Sequence, residues 1–349
     1  MSEEKDITIY DIAKALNLSG ATISRALNNH KAISSTTKQR IIEKAKELGY
    51  RSNPFASNLR KKETNTIGVI IPRMNSNFVS TVLAAVEKIA NEFGYNVIIS
   101  QSIESVNKEI LNAQTMFDYR VDGLLVSLAY NTTNIEHFKK FAKKGTPIIF
   151  FDRIYESPDV ASIVIDNFKN GYDLTQHLIE QGCKHIMHVT GNLKRNVYRD
   201  RFEGYKKALK TAGLEFNDEQ LIVGELNEVA GIEAAEKILE KKVLPDAIFF
   251  SNDLCAASCM LILKQNGIKI PQDIAIVGFN NDPISRLSEP NITTVNYPAS
   301  HMGEMAATQL INHLKGVSNI FDTKKIILQS EILIRESSLK QPNQSNDAR

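Results

Sequence analysis

Side chains suited to hydrogen bonding with DNA bases cluster in the segment SGATISRAL, residues 19–27. Its arginine, Arg25, can donate two parallel hydrogen bonds to a guanine. Gly20 and Ala21 lack bulky side chains, so a helix that carries them can bring its backbone close to base edges in a groove. A three-helix interaction domain with a solvated basic face is the alternative, and it stays open at this point.

A second group of polar side chains follows apolar runs that are predicted strands. Taken singly, Asn and Asp at such places are more readily explained as helix N-caps. Open parallel sheets bind ligands beyond the carboxyl ends of their strands, so the convergence of these residues favours a cleft that recognises a polyol. The residues are Asn75 to Phe78, Asp152 and Arg153, Gly191 and Asn192, Asn252 and Asp253, and Asn280 and Asn281.

Three short helices are predicted to position the first group. Thr8, Ser19 and either Ser34 or Ser35 are N-cap candidates, and Gly49 is a C-cap that ends the third helix. A tight turn joins the first two helices, which is the geometry that places a second helix in the major groove. Apolar residues at helical spacing predict the buried faces: Ile9, Ile12, Ala13 and Leu16, then Ile23, Ala26 and Leu27, then Ile41, Ala45 and Leu48.

The next segment, NPFASNLRKK at 53–62, is too short and too polar to form a stable isolated helix. It places Ala56 and Leu59 on one side and a basic cluster at its end. The segment is therefore predicted to fold only against a partner, with a plain charged linker as the alternative.

The remainder of the chain has the pattern of an α/β protein. From Thr66 onward, β-branched runs such as TIGVIIP, TPIIFFD and AIFFSND alternate with amphipathic helical stretches. This pattern predicts parallel sheets that are covered by helices on both faces. About 275 residues exceed one such sheet, so two α/β lobes are expected.

Length and composition fit a soluble cytoplasmic protein of two or three domains. The 349 residues are 42% hydrophobic and 23% charged, and no apolar run has the length of a signal peptide core or a membrane span. Three cysteines do not make a disulfide framework. Cys255 and Cys259 lack neighbouring His or acidic ligands, so they are predicted to pack in a core. Neither a metal nor a cofactor is expected.

The charge of the chain is unevenly distributed. Residues 1–62 contain 12 Lys and Arg against 6 Asp and Glu, a net charge of +6, whereas the other 30 basic and 34 acidic residues give −4. A basic head on a mildly acidic body indicates a polyanionic partner for the head alone.

Two other functions compete with DNA-dependent regulation. The lobes alone would suit a nucleotide-binding enzyme with an accessory DNA-binding domain, or a solute-binding protein. The sequence lacks phosphate-binding loops and the nucleophile motif G-x-S-x-G, so an enzyme is not expected. A basic head without a signal peptide is not typical of a solute-binding protein.

The segments TIYDIAKALNLSGATISRALNN (8–29) and ISSTTKQRIIEKAKELGYRSNPFASNLR (33–60) resemble the DNA-binding headpiece and hinge of the lactose/galactose repressor family. In that family the second helix reads the major groove, and a leucine of the paired hinge helices wedges open the minor groove. The resemblance implies that Gly20, Ala21 and Arg25 read bases and that Leu59 is the wedge. The candidate DNA-contact set is Thr8, Ser19, Gly20, Ala21, Thr22, Ser24, Arg25, Asn28, Ala56, Leu59 and Arg60.

The body is also similar to that family, from Ile67 to about Ser338. The stretches that carry the similarity are RFEGY (201–205), SND (251–253), VGF (277–279), ITTV (292–295) and LIRES (333–337). They imply an α/β effector domain of the type I periplasmic-binding-protein kind, with two lobes joined by three crossovers, behind an N-terminal all-α helix-turn-helix headpiece.

The same resemblance implies a ligand site between the lobes. Arg201 corresponds to the family's main ligand arginine, and a guanidinium offers a planar fork to hydroxyls or a carboxylate. Asp152 and Asn252 correspond to polar contacts, and Phe78 to an apolar wall. The candidate effector-binding set is Asn77, Phe78, Asp152, Arg153, Arg201, Asn252 and Asn281.

The implied protein is a homodimeric, sequence-specific transcription regulator, a repressor, without a membrane partner. Its affinity for near-palindromic double-stranded operator DNA would be controlled by a small effector, a sugar or sugar derivative. The implied domains are a headpiece at 1–50, a hinge helix or linker at 51–63, a two-lobed effector-binding and dimerisation domain at 64–340, and a flexible tail at 341–349. The N-lobe would comprise 64–165 and 295–325, and the C-lobe 166–294 and 326–340.

The chain departs from the family at Asn280 and Asn281, where many sugar-responsive members carry a carboxylate after VGF. Loss of a negative charge beside an arginine predicts a preference for an acidic or phosphorylated sugar. The alternative is that Asn281 hydrogen-bonds the hydroxyls of a neutral sugar equally well. The basic residues expected around the cleft are Arg153, Lys194, Arg195, Arg199 and Arg201.

Overall fold

The structure is a computed structural model that describes residues 7–50, 63–157 and 160–340. These residues belong to two compact units that divide between Thr64 and Asn65. The first unit is all-α and the second is α/β, so the predicted fold classes are confirmed.

The first unit contains three helices that begin at capping side chains, as predicted. Asp11 Oδ2 accepts hydrogen bonds from the backbone N–H of Thr8 at 2.8 Å and from its hydroxyl at 2.7 Å. Ser19 Oγ accepts from the backbone N–H of Thr22 at 3.1 Å, and Ser34 caps the third helix in the same way. The helices are α1 (Ile9–Leu16), α2 (Gly20–Leu27) and α3 (Ser35–Glu47).

One isoleucine from each helix forms the centre of this unit. Ile12, Ile23 and Ile41 are fully buried, and apolar neighbours at helical spacing surround them. Asn17, at the end of α1, adopts a left-handed conformation with φ of 54°. Asparagine tolerates this conformation better than most residues, so the chain can turn sharply into α2.

The second unit is built on two parallel sheets, as the sequence predicts. Its strands are β1 (Thr66–Ile71), β2 (Asn96–Gln101), β3 (Gly123–Val126), β4 (Ile148–Phe151), β5 (Ala161–Ile165), β6 (Ile186–Thr190), β7 (Leu221–Val223), β8 (Ala247–Phe250), β9 (Ala275–Val277), β10 (Thr294–Asn296), β11 (Lys325–Leu328) and β12 (Glu331–Leu333). The N-lobe sheet has the order β11-β5-β4-β3-β1-β2, and the C-lobe sheet has the order β7-β6-β8-β9.

Helices cover both faces of each sheet, because the strands are apolar on both sides. Those of the N-lobe are α4 (Asn77–Glu92), α5 (Val106–Asp118), α6 (Lys139–Lys144) and α12 (Ala299–Leu314). Those of the C-lobe are α7 (Asn167–Glu180), α8 (Asn196–Thr211), α9 (Glu228–Leu239), α10 (Asp253–Gln265) and α11 (Pro283–Leu287).

Within residues 160–340, the chain passes between the lobes three times: after β5, through β10 and through β12. β10 and β12 pair in antiparallel register, so the last two passages lie side by side. The N-lobe sheet extends a few residues beyond the predicted N-lobe boundary at 325. Strand β11 begins at Lys325 and pairs in parallel with β5 up to Leu328 opposite Ile165, so the N-lobe sheet includes residues 325–328.

Helices α7 and α8 approach so closely that only glycine fits at their contact. A Cβ atom on Gly171 would lie 2.3 Å from the carbonyl oxygen of Arg201, and one on Gly204 would lie 2.2 Å from the carbonyl oxygen of Phe168. The backbone of Arg201 is therefore pressed against α7, which fixes the origin of its side chain.

The two cysteines on α10, Cys255 and Cys259, are fully buried in the C-lobe core, which confirms the prediction that they pack there. Burial raises the pKa of the Cys255 thiol to about 12. Among the residues that the structure describes, no helix combines the length and the apolar character needed to cross a bilayer.

Candidate DNA-contact face and ligand cleft

Helix α2 presents a polar face composed of residues that the sequence predicts to contact DNA. Ala21, Arg25 and Asn28 are exposed, whereas Ile23 and Ala26 on the opposite face are buried. Within residues 7–50, no hydrogen bond or ion pair engages the Arg25 guanidinium. Its donors are therefore available for a base edge.

Several of the other candidate DNA contacts also stabilise helix ends. Ser19 Oγ caps α2 and lies 2.9 Å from Thr22 Oγ1. Asn28 Nδ2 donates to the carbonyl oxygen of Ser24 at 2.8 Å, and the hydroxyl of Thr8 is engaged in its cap. These side chains are exposed or half-buried. Their contacts with DNA stay predictions.

An exposed tyrosine that was not predicted lies beside the start of α2. Tyr10 is 72% exposed, and a Cβ atom on Gly20 would lie 3.3 Å from its Cε1 atom. A glycine at this position lets the ring lie against the α2 backbone. The sequence contained a signal for this residue. An aromatic side chain on the polar side of α1 contributes little to the core, so its presence there indicates another role.

Three further candidates, Ala56, Leu59 and Arg60, lie outside the described residues. Their predicted contacts in the minor groove stay predictions.

A cavity of about 450 Å³ lies between the two lobes of the second unit. Its size suits a small ligand such as a monosaccharide. Six of the seven candidate effector residues line it: Asn77, Phe78, Asp152, Arg153, Arg201 and Asn252. The exception is Asn281.

Two stacked aromatic rings form one wall of the cavity. The centroids of Phe78 and Tyr297 are 4.4 Å apart, and both side chains are almost completely buried. Phe78 was predicted as an apolar wall, whereas Tyr297 was not predicted. Its position at the passage through β10 brings it into the cleft from a distant part of the sequence.

Arg201 enters the cavity from the C-lobe and is 3% exposed. Its guanidinium stacks 3.5 Å above the ring of Phe279. Nε donates to Asn167 Oδ1 and Nη1 to the carbonyl oxygen of Ser251, both at 2.8 Å. Because these contacts fix the plane of the group, the remaining donors on Nη2 have a defined direction for a ligand oxygen.

Asp152 is buried on the N-lobe side of the cleft. Its Oδ1 accepts from the hydroxyl of Tyr297 at 2.9 Å, and its Oδ2 from Ser127 Oγ at 3.4 Å. Burial raises the pKa of this carboxyl, and the charges of Arg153 and Arg201 partly oppose the increase. The residue also has φ of 58°, so the backbone is held in the left-handed region at this point.

Arg153 lines the cleft, but other side chains already occupy most of its donors. Nη1 lies 2.9 Å from both carboxylate oxygens of Glu104, and Nη2 donates to the hydroxyl of Tyr198 at 2.8 Å. Arg153 therefore joins the N-lobe to α8 of the C-lobe, and its positive charge is balanced.

Asn252 illustrates the capping alternative. Its Oδ1 accepts from the backbone N–H of Cys255 at 2.9 Å, and its Nδ2 donates to the carbonyl oxygen of Leu226 at 2.7 Å. Both ends of the amide are engaged within the C-lobe, so the residue shapes the cleft wall while it caps α10.

Asn281 does not line the cavity, and its contact with an effector stays a prediction. Its Oδ1 accepts from Arg335 Nη2 at 2.7 Å and its Nδ2 donates to Asn296 Oδ1 at 3.2 Å, so the side chain ties together the passages between the lobes. Asn280 lines the cavity instead. The two asparagines have φ of 106° and 57°, and the resulting twist of the backbone turns the second side chain out of the cavity.

The cavity wall does not have the expected excess of positive charge. Lys194, Arg195 and Arg199 do not line the cavity, and Arg199 pairs with Glu156 and Asp200. A carboxylate that was not predicted, Asp282, lies in the cavity wall. The premise for a preference toward acidic or phosphorylated sugars therefore does not hold.

Asp282 connects the two lobes across the cavity. Its Oδ1 accepts a hydrogen bond of 3.1 Å from Nδ2 of Asn77, at the start of α4. A second, longer contact of 3.5 Å joins Arg73 to Glu225 at the exposed mouth. The two residues of each pair are far apart in the sequence, so no local pattern in the sequence predicts either contact.

The headpiece and the lobes each match a described family of sequences. Residues 8–53 match the bacterial regulatory proteins of the lacI family, and residues 64–333 match the periplasmic binding proteins and sugar binding domain of the LacI family. Catabolite control protein A of Priestia megaterium is 32% identical over 334 residues, which are 95% of this chain and 99% of that protein. The chain belongs to the LacI family of bacterial regulatory proteins.

Other members of the LacI family align over the same length. The transcriptional regulator RegA of Clostridium saccharobutylicum is 30% identical over 95% of this chain and 99% of its own. The lac repressor dimer bound to operator and the anti-inducer ONPF has the same fold, with a TM-score of 0.83 at 23% identity over 96% of this chain and 100% of that chain.

Membership of the LacI family determines the general function. The chain is a DNA-binding transcription regulator with a ligand-binding domain, and its relatives are regulators rather than enzymes.

Proposed function

We propose that this chain is a homodimeric repressor whose affinity for a near-palindromic operator is controlled by a sugar or sugar derivative bound between the lobes. One observation carries the proposal: an Arg25 that has no partner within residues 7–50 lies on an exposed helix, and a polar cleft surrounds a fixed Arg201. The first residue suits base reading, and the second suits recognition of ligand oxygens.

The cleft has the features of a polyol site. It combines a stacked aromatic wall at Phe78 and Tyr297 with the donors of Arg201 and the acceptors of Asp152. Sugars present apolar C–H faces and a ring of hydroxyl groups, so an aromatic wall and a few fixed polar groups complement them. A ligand that contacts both lobes favours their closed arrangement, and the sign of regulation follows from which arrangement binds DNA better.

Exposed apolar side chains on both lobes support dimer formation. They include Leu111 on α5 and Leu261 on α10, with exposed fractions of 67% and 58%. Apolar groups in such number on a surface favour a protein partner. Two headpieces related by a twofold axis would bind two half-sites one helical turn apart.

The function is tested by selecting duplexes from a random pool with the full-length protein. We expect enrichment of a near-palindromic sequence, and a change in its affinity when a sugar that raises the melting temperature of the protein is added. Failure to enrich any sequence would contradict DNA-dependent regulation. Enrichment without any effect of a bound sugar would contradict effector control.

Operator affinity should fall steeply with salt, because the basic headpieces displace counterions from phosphates. With about six phosphate contacts per dimer, a tenfold rise in salt should weaken binding by about five orders of magnitude. Fluorescence anisotropy over a salt series measures the slope. A scrambled duplex provides the non-specific reference, and a flat response on the selected operator would refute this prediction.

Arg25→Ala should relax base preference at one position in each half-site. Loss of a bidentate contact to guanine costs about 1–3 kcal/mol per half-site. Binding to a set of single-base operator variants measures the preference. Lys44→Ala is the matched control, because it also removes one positive charge but Lys44 is paired with Glu47 on α3. An unchanged preference at every position would exclude Arg25 as a base reader.

A further inference from the structure

We propose that Asp282 determines the ligand specificity of the cleft and selects a ligand with a protonated amine, such as an amino sugar. This inference rests on the proposed function and specifies the ligand class of the same site.

The position of Asp282 suggests a helix cap, but its side chain does not act as one. It is the residue before α11, where an aspartate usually accepts from the backbone of the next turn, and no such hydrogen bond is present. Its backbone is fixed by other groups: its N–H donates to Asp253 Oδ2, and its carbonyl oxygen accepts from Ser285 Oγ, both at 2.7 Å. The carboxylate is therefore held in place but left to the cavity.

Among the residues that the structure describes, the hydrogen bonds to this carboxylate come from amide groups. Asn77 Nδ2 donates to Oδ1 at 3.1 Å, and the side chain of Asn280 also hydrogen-bonds to it. Among the described residues, no Lys, Arg or His nitrogen lies within 4 Å of it. An ionised carboxylate has about four acceptor positions, so roughly two remain for a ligand.

The other charges in the cavity wall are matched. Glu104 pairs with Arg153 at 2.9 Å, and Glu225 lies 3.5 Å from Arg73. Asp152 is attracted to the charge of Arg201. The excess negative charge of the cavity is therefore at Asp282, and the buried carboxyl of Asp253 behind it does not offset that charge.

A carboxylate in this environment distinguishes ligands by charge. Burial raises its pKa, since partial desolvation without a counter-ion destabilises the ionised form. A ligand ammonium would supply the missing counter-ion and form a charge-assisted hydrogen bond. A hydroxyl forms only an ordinary hydrogen bond, and a phosphate is repelled by the excess negative charge of the cavity.

The experiment compares matched ligands by titration calorimetry on the full-length protein. Each series contains the hexosamine, the hexose and the hexose 6-phosphate, for D-glucose and for D-galactose. We expect the amine to bind at least about tenfold more tightly than the neutral sugar in one series, as a charged hydrogen bond implies. The 6-phosphate should bind most weakly in that series.

Asp282→Asn separates charge from geometry, because its amide oxygen can still accept from Asn77. This variant should bind the hexosamine about tenfold more weakly than the unaltered protein does. Its affinity for the neutral hexose should change by less than about twofold. Glu233→Gln is the matched control: Glu233 is an exposed carboxylate on α9 outside the cavity, so all ligands should bind it as they bind the unaltered protein.

Two results would overturn the proposal. The first is that the hexosamine binds no more tightly than the hexose in both series. A hexosamine that does not bind at all counts as this result. The second is an equal loss for all ligands in Asp282→Asn, which would assign the residue to interlobe contact alone. Affinity for the selected operator without ligand is measured on the same proteins, so a failed amine preference with intact operator binding leaves the proposed regulator standing.

Discussion

Arg201→Ala should abolish ligand binding, with an expected loss of at least about a hundredfold. The substitution removes the fixed donors of the cleft and leaves the acceptors on Asn167 and Ser251 without partners. It also removes the cation that stacks on Phe279. Calorimetry with the sugar that binds the unaltered protein most tightly measures the loss.

Operator binding by Arg201→Ala should persist without ligand, because the headpiece is a separate unit with its own core. Lys206→Ala is the matched control: Lys206 is a cation on the same helix that pairs with Glu203 and does not line the cavity. It should keep ligand affinity within about twofold. Unchanged ligand affinity in Arg201→Ala would exclude the arginine from the site.

Gly171→Ala should produce a large loss of stability. A methyl group at this position would lie 2.3 Å from a backbone oxygen of α8, so the two helices must separate. Overpacking of this kind costs about 1–3 kcal/mol, and more where backbone rather than a side chain must move. It outweighs the gain of about 1 kcal/mol that alanine brings within a helix. Thermal and denaturant unfolding measure the difference.

The same substitution should also weaken ligand binding, because the backbone oxygen that must move belongs to Arg201. Gly123→Ala is the contrasting control: its methyl group would meet the side chain of Leu310 at 2.8 Å, and a leucine can change rotamer. Its cost should be smaller, and its ligand affinity should follow that of the unaltered protein. Equal stability of Gly171→Ala and the unaltered protein would contradict the close helix contact.

The headpiece was predictable from sequence because its determinants are local. The caps at Thr8, Ser19 and Ser34 each act within three residues, and the apolar spacing determines which side of each helix is buried. These signals need no knowledge of the rest of the fold. Tyr10 was missed because its significance depends on a neighbour in another helix.

The cleft was only partly predictable, because several of its walls come from distant segments. Phe78 and Arg201 were found through resemblance to the family, whereas Tyr297 follows β10 at a passage between the lobes and Asp282 lies in the loop between β9 and α11. The direction of the Asn281 side chain could not be predicted, because it depends on two consecutive positive φ angles. Backbone twist of that kind leaves no clear trace in a one-dimensional pattern.

The three passages between the lobes also constrain the order in which the protein can fold during synthesis. The headpiece has all its core residues once Tyr50 has left the ribosome. The N-lobe, in contrast, lacks its covering helix α12 and edge strand β11 until Leu328 has emerged, long after the C-lobe sheet has been made. A nascent chain would therefore carry a finished DNA-binding unit well before it had a ligand cleft to control it.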